Sequence, residues 1–192
     1  IMIDTLFENK SKISNNSKIV KNSLIINKPY FVMTLHRPSN LTDITLQNIF
    51  EAVSSFTEDY QIILPAHPRL KNYINEEDIE YKNITLIDPL SYIDFMALVY
   101  GCELVLTDSG GIQEETTYLG INCLTLREET ERPITVQEGT NHLVGLDTNQ
   151  VMNIIKNIMN GNPKIGKVPK NWDGNSSKKV VNHINRFLSD NN

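Results

Sequence analysis

From Pro29 onward, short and wholly apolar runs alternate with stretches of helical periodicity, and this rhythm constrains the fold more than anything else in the chain. Tyr30-Phe31-Val32-Met33-Thr34-Leu35 precedes a helix in which Leu46, Ile49, Phe50, Val53 and Phe56 share one face, with Asn40, Thr42 or Asp43 as its cap. Gln61 to Leu64 reads as a second strand and Ile84 to Ile87 as a third, with a short helix near Leu70 to Ile74 between them. Ser91 caps a helix through Tyr100, and Leu104 to Leu106 forms a fourth strand before a helix from Ile112 to Leu119. Cys123 to Leu126 and His142 to Gly145 are the remaining strands. Asp147 caps an amphipathic helix carrying Val151, Ile154, Ile155, Ile158 and Met159, and a last helix covers Ser176 to Leu188. Strands that are apolar on both faces belong to a parallel sheet covered on both sides. With right-handed crossovers, the economical fold is α/β: a doubly wound, Rossmann-like parallel sheet.

The chain has 192 residues, 40% of them hydrophobic, which suffices for one well-packed domain and some extra. A net charge of −5 argues against a general nucleic-acid surface, and no apolar run approaches the length of a membrane span. Neither nucleic acid nor membrane is an expected partner. No signal peptide is recognisable, and Cys102 and Cys123 lie at or in expected buried strands without metal-ligand spacing. They read as reduced thiols of a cytoplasmic protein, and no metal site is expected. Ile1 to Phe7 reads as the end of a packed helix without a partner of its own, and Asn9 to Lys28 as a surface connection. A piece of a longer protein is the expectation from this opening.

In such sheets ligands sit at the carboxyl ends of the strands. The chemically capable residues gather there: His36 and Arg37 after the first strand, His67 after the second, Ser109 to Gly111 after the fourth, Arg127 to Arg132 after the fifth. The richest stretch runs from Leu104 to Glu115, a buried strand, a two-glycine turn and a helix that starts with little side-chain bulk. It aims backbone N–H groups and the positive end of a helix dipole at one point, which suits a phosphate or diphosphate. Neither GxxxxGK[ST] nor GxGxxG is present, so neither a P-loop nor an NAD site is implied. Adjacent residues on a helix point about 100° apart, so at most one of Glu114 and Glu115 reaches a ligand. Glu115 is the one expected at the ribose hydroxyls.

His36-Arg37 closes an apolar strand, where charge has few structural uses. The expected arrangement is Arg37 on phosphate with His36 as donor or proton-transfer group. Arg132 reads as a loop staple held by neighbouring acids or as a second diphosphate contact, the latter favoured. His67 stands evenly between a loop hydrogen bond and a ligand contact. Phe95 is most simply core, with a ring edge able to line a base pocket, and His142 and His183 read as structural.

Thr34-Leu35-His36-Arg37-Pro38-Ser39-Asn40, Pro65-Ala66-His67-Pro68-Arg69, Thr107 to Glu115, Thr130-Glu131-Arg132-Pro133 and Gly139 to Gly145 occur in order and at compatible spacing. Together they closely resemble the C-terminal half of the non-hydrolysing UDP-N-acetylglucosamine 2-epimerases. The resemblance implies the C-terminal domain of a GT-B-type two-domain fold. Residues 1–28 would be the end of an N-terminal-domain helix and a linker, 29–174 a Rossmann-like UDP-binding domain, and 175–192 a C-terminal helix. The implied reaction interconverts UDP-GlcNAc and UDP-ManNAc by eliminating UDP to a glycal and adding it back, without a cofactor, in polysaccharide precursor synthesis.

Family roles then fall on Ser109, Gly110 and Gly111 at the diphosphate, Glu115 at the ribose and Arg132 at phosphate. Phe95 and the backbone near Leu90 lie by the uracil, and His36 matches the family's active-site histidine, with Arg37 beside it. The carboxylates that move the C2 proton belong to an N-terminal half, which is the expected partner; a homodimer is left open. Ser39 and Ile134 stand where Glu is familiar, and Pro68-Arg69-Leu70 replaces a Leu-Asn-Pro run. These departures resemble another branch of the family and put in question a regulatory UDP-sugar site at His67 and Arg37. A GT-B glycosyltransferase and a non-catalytic UDP-sugar-binding module are the alternatives.

Overall fold

Tyr30, Phe31, Val32 and Met33 are all buried, so successive side chains of one strand enter cores on opposite faces of a sheet. The structure, a computed structural model, describes every residue except 24, 25, 27, 56–59, 67, 76–82 and 191–192. Six strands form the sheet: β1 (Tyr30–Thr34), β2 (Gln61–Pro65), β3 (Ile84–Ile87), β4 (Leu104–Thr107), β5 (Asn122–Thr125) and β6 (Asn141–Leu143). All pairings are parallel, in the order β3-β2-β1-β4-β5-β6. This is the doubly wound Rossmann order, in which the winding direction reverses between β1 and β4.

Phe31, Met33, Ile62, Leu64, Leu104, Leu106 and Leu124 face one core. It is closed by α2 (Asp43–Ser54), α3 (Pro68–Asn75) and α7 (Thr148–Met159), through Leu46, Phe50, Val53, Leu70 and Ile155 among others. Tyr30, Val32, Ile63 and Val105 face the opposite core, closed by α1 (Met2–Ser23), α4 (Tyr92–Tyr100) and α5 (Gly110–Leu119). Full burial of each large side chain stabilises the fold by about 1.5–3 kcal/mol before chain entropy is counted. Thr42, Ser91 and Asp147 cap α2, α4 and α7 by accepting backbone N–H bonds, as their side-chain chemistry dictates. A short α6 (Pro133–Gln137) and an outlying α8 (Ser176–Asp190) complete the chain.

Three expectations change. Ile1 to Phe7, read as a helix end without a partner of its own, and Asn9 to Lys28, read as a surface connection, form one helix from Met2 through Ser23, α1, in which Ile3 and Leu6 are buried. Leu6, Ile13 and Val20 form a buried stripe at heptad spacing that packs against α4 and α5, and tertiary burial overrides the poor helix propensity of the Asn and Ser around it. The last strand is Asn141–Leu143, not His142 to Gly145, because the Gly145 backbone turns at φ +57°. Phe56, expected on the inward face of α2, lies outside the described residues.

Candidate functional site

The winding reverses between β1 and β4, the place where doubly wound sheets bind their ligands, and the residues after those two strands meet there at the carboxyl edge. Thr34 pairs with Thr107 in register, and their hydroxyls are 2.7 Å apart. Beyond them Asp108, fully buried, reaches across to the loop after β1. Its Oδ2 accepts the backbone N–H of His36 (3.1 Å) and of Arg37 (2.9 Å) and the Asn40 side-chain amide (3.1 Å). Its Oδ1 lies 2.7 Å from His36 Nδ1, while the His36 ring is 54% exposed. Burial alone would raise the Asp108 carboxyl, but the imidazole and backbone donors outweigh it and hold it below the usual range. The same carboxylate raises His36 above its ordinary value.

After β4 the chain enters α5. Ser109 occupies the cap position with extended backbone (φ −85°, ψ 130°), yet its side chain makes no capping bond. The first N–H groups of the helix have no intrahelical partner, and Gly110 and Gly111 put no side chain in front of them. The turn is held from behind: Thr107 Oγ1 accepts the Ser109 N–H at 3.0 Å, and the buried Gln113 amide donates to the Ser109 carbonyl at 3.2 Å. Gln113 Oε1 in turn accepts from the Thr130 hydroxyl and, at 3.2 Å, from Asn141, whose amide also donates to Thr135 Oγ1. This buried network ties the glycine turn to the loop after β5 and to β6.

Glu115, one turn into α5, is buried and accepts a 2.8 Å bond from the Tyr92 hydroxyl at the start of α4. Desolvation pushes its carboxyl from 4.5 up to about 7, against the lowering effect of Tyr92. Glu114 points elsewhere and pairs with Arg132, Nε to Oε1 at 2.9 Å. Arg132 therefore has the loop-staple geometry in this structure. Arg37 lies 3.6 Å from Glu131, whose carboxylate also receives both Arg127 N–H groups at 2.8 Å and is held near 2 by them. A Cβ on Gly110 would stand 3.8 Å from Glu131 Oε2, so these charges border the α5 N-terminus. Leu90 and Phe95 are half-buried against the second core, where α4 begins.

The structure thus brings His36, Arg37, Ser109, Gly110, Gly111, Glu115 and Arg132 to one edge, with Leu90 and Phe95 flanking Tyr92. His67 lies outside the described residues. His142 is half-buried and lowered to about 4, mainly by desolvation. Reading the sequence alone missed Asp108, Tyr92, Gln113 and Asn40. For Asp108 there was a signal: an acid directly after a fully apolar strand must find donors where it is buried. Among the described residues, no group of three or more His, Cys, Asp or Glu side chains is arranged to hold a metal ion. No helix among them is long and apolar enough to cross a membrane.

A family model described as UDP-N-acetylglucosamine 2-epimerase matches residues 1–185. A UDP-N-acetylglucosamine 2-epimerase of Methanocaldococcus jannaschii is 35% identical over 195 residues, which covers 94% of this chain and 51% of the relative. The structure of the Neisseria meningitidis UDP-GlcNAc 2-epimerase bound to UDP-GlcNAc superposes with a TM-score of 0.82 at 28% identity, covering 96% of this chain and 53% of that one. The Methanocaldococcus jannaschii UDP-GlcNAc 2-epimerase in complex with UDP-GlcNAc and UDP gives 0.77 at 33% identity, over 95% and 53%. The chain spans about half the length of the relatives it matches. Its sheet corresponds to one Rossmann-like domain of the GT-B-type fold of these neighbours.

Proposed function

The chain belongs to the UDP-N-acetylglucosamine 2-epimerase family, and from that premise we propose that it is the UDP-binding half of an enzyme interconverting UDP-GlcNAc and UDP-ManNAc. The observation that carries the proposal is the α5 N-terminus at the β1/β4 reversal, uncapped and glycine-lined, with a buried carboxylate one turn behind it. The diphosphate takes the Gly110 and Gly111 N–H groups and the Ser109 hydroxyl, where the helix dipole adds to the attraction. Glu115 accepts the ribose hydroxyls, and the α4 start with Leu90 and Phe95 lies by the uracil. Arg37 and Arg132 exchange their carboxylate partners Glu131 and Glu114 for phosphate oxygens, a trade between anions that keeps both guanidiniums paired.

In the reaction, a base removes the C2 proton, a C1–C2 double bond forms, and the C1–O bond breaks with its electron pair on the departing diphosphate. Re-addition reverses these changes after C2 is protonated on the other face. His36 stands beside the leaving group, and its raised tendency to carry a proton suits it to meet that developing charge. The carboxylates that move the C2 proton are assigned to an N-terminal half. A partner domain is consistent with the apolar side chains Val180, Ile184 and Phe187, which α8 leaves 49–63% exposed. On this reading the sheet and helices of residues 29–174 carry the UDP site of a cytoplasmic enzyme, with α1 closing one of their two cores.

Calorimetric titration with UDP tests the nucleotide site directly. Charge-assisted bonds of this kind contribute about 1.5–3 kcal/mol, so Glu115→Ala should weaken UDP by about 10-fold or more. Equal binding by the two proteins removes the ribose assignment. In deuterated water the full-length protein should exchange the C2 hydrogen of UDP-GlcNAc while forming UDP-ManNAc. A folded full-length protein that transfers sugar to an acceptor without such exchange overturns the epimerase reading.

A further inference from the structure

We propose that Asp108 is the positioning residue of His36, fixing the imidazole with its proton on Nδ1 so that Nε2 is the nitrogen offered to the sugar nucleotide. The proposal rests on the reading above that His36 faces the substrate.

The alternative is that Asp108 only staples the loop after β1. Its Oδ2 would suffice for that: it accepts two backbone N–H groups and the buried Asn40 amide, whose other bond goes to the Leu126 carbonyl at 3.1 Å. Oδ1 does something the loop does not need. Its 2.7 Å neighbour is the His36 ring, in ion-pair contact and more than half exposed to solvent, and among the described residues no other donor meets this buried oxygen. The donors around Asp108 keep it ionised and therefore acceptor-only, so the ring nitrogen facing it carries the hydrogen. The neutral ring is thereby restricted to one tautomer, with the Nε2 lone pair outward, and the protonated ring presents Nε2–H. Among the described residues Arg37 is the other charged group acting on the ring, and it opposes the protonation that Asp108 favours. β1 and β4 are hydrogen-bonded neighbours, so the carboxylate and the ring stand one and two residues beyond the ends of paired strands.

The consequence for chemistry is directional. As the C1–O bond breaks, the electron pair moves onto the diphosphate oxygen, and an Nε2–H on a ring held from behind meets that charge without having to turn. Without Asp108 the ring loses its fixed tautomer and part of its positive charge, although the diphosphate contacts at α5 remain.

The test is nitrogen-15 NMR on the histidine-labelled chain, with His36 among the four histidines assigned by the loss of its signals in His36→Gln. Wild-type His36 should show the Nδ1–H tautomer at high pH and a titration midpoint above the usual 6.5. Asp108→Asn keeps an oxygen for the backbone N–H groups but can turn an NH₂ toward the ring. It should shift His36 to the Nε2–H tautomer and lower its midpoint by about one unit or more. In the full-length enzyme the same substitution should lower kcat by about 100-fold or more with little change in KM. An Nε2–H tautomer in the wild-type chain, or a midpoint at or below 6.5, overturns the proposal even if Asp108→Asn does not fold. An Asp108→Asn protein with unchanged tautomer and midpoint reduces Asp108 to a loop staple and also overturns it. The underlying reading fails differently: a wild-type chain that does not bind UDP, or a full-length His36→Gln enzyme with undiminished kcat, sinks it whatever the tautomer.

Discussion

Glu115 shows how a single residue couples folding to ligand. Its carboxyl is raised from 4.5 to about 7 by desolvation, with one bond from Tyr92 to compensate. A group raised on folding takes up protons relative to the unfolded chain, so stability should fall as pH rises from about 4.5 to 7 and level off above. Glu115→Gln removes that descending limb and should stabilise the chain at pH 8, measured as urea midpoints across pH. Binding runs the other way. Ribose hydroxyls donate to the ionised form, so UDP affinity should weaken as pH drops from 7 toward 5, beyond the effect of the nucleotide's own phosphate. The Glu115→Gln chain reports that ligand contribution alone, and matching pH profiles in the two proteins would exclude Glu115 as the titrating contact. Arg132 carries a different lesson at the same scale. The choice between staple and phosphate ligand could not be made from neighbouring acids in the sequence, because its partner Glu114 lies on α5, across the buried Gln113 network.

At the scale of elements, β1, β2 and β4 were legible because a parallel strand buried on both faces is apolar along most of its length, whereas β6, with Asn141 and His142, was placed one residue late. The Ser109-Gly110-Gly111 turn and Glu115 were legible because they are consecutive or one helical turn apart. Asp108 was not, since the groups it holds lie 71 and 72 residues earlier in the chain. α1 was hidden by the Asn, Ser and Lys around its stripe, and α6 by its length of five residues, too short for a period to show. α1 also explains why α4 is buried at Met96, Ala97, Leu98 and Val99 in succession: the sheet covers one side and α1 the other. The Gly139 to Gly145 motif acquires a packing reason as well. A Cβ on Gly139 would stand 2.4 Å from the Thr117 side chain on α5 and 2.6 Å from the Thr135 carbonyl on α6. Gly139→Ala should therefore cost about 1–3 kcal/mol and lower the melting temperature by several degrees. Gly120, left-handed at φ +74° with open space around it, is the control. There Ala strains only its own backbone, at about 1–2 kcal/mol, and loses no packing. Repacking should distinguish the two: trimming Thr117 to Ala should recover part of the Gly139→Ala loss and none of the Gly120→Ala loss. Equal recovery at both sites, or none at Gly139, would remove the close-approach argument.

For the whole molecule, the two ends of the chain are joined through Asp4, with Phe7 beside it against Gly174. Asp4, on the first turn of α1 and 6% exposed, accepts the backbone N–H groups of Ser176 (3.0 Å) and Ser177 (2.7 Å) and the Ser177 hydroxyl (2.8 Å). It acts as an N-terminal cap for α8 supplied from 173 residues away, and those bonds hold its carboxyl far below its ordinary 3.8. α8 has no buried residue of its own, and this cap is one of the contacts that fix it to the rest of the fold. Helices held by few contacts open locally without global unfolding. Asp4→Ala should therefore speed amide exchange in the first turns of α8 by about 5-fold or more, the size expected for a lost cap, and leave the sheet amides protected. Because the carboxyl is depressed in the folded chain, the cap is at full strength above its ordinary 3.8 and is lost as pH falls below it. Acidification of the wild-type chain should then loosen α8 before the core strands, while the Asp4→Ala chain, already loosened, shows little further change. If hydrogen exchange finds α8 and β1 opening together in both proteins, α8 is an integral part of the cooperative unit and the tie through Asp4 is wrong.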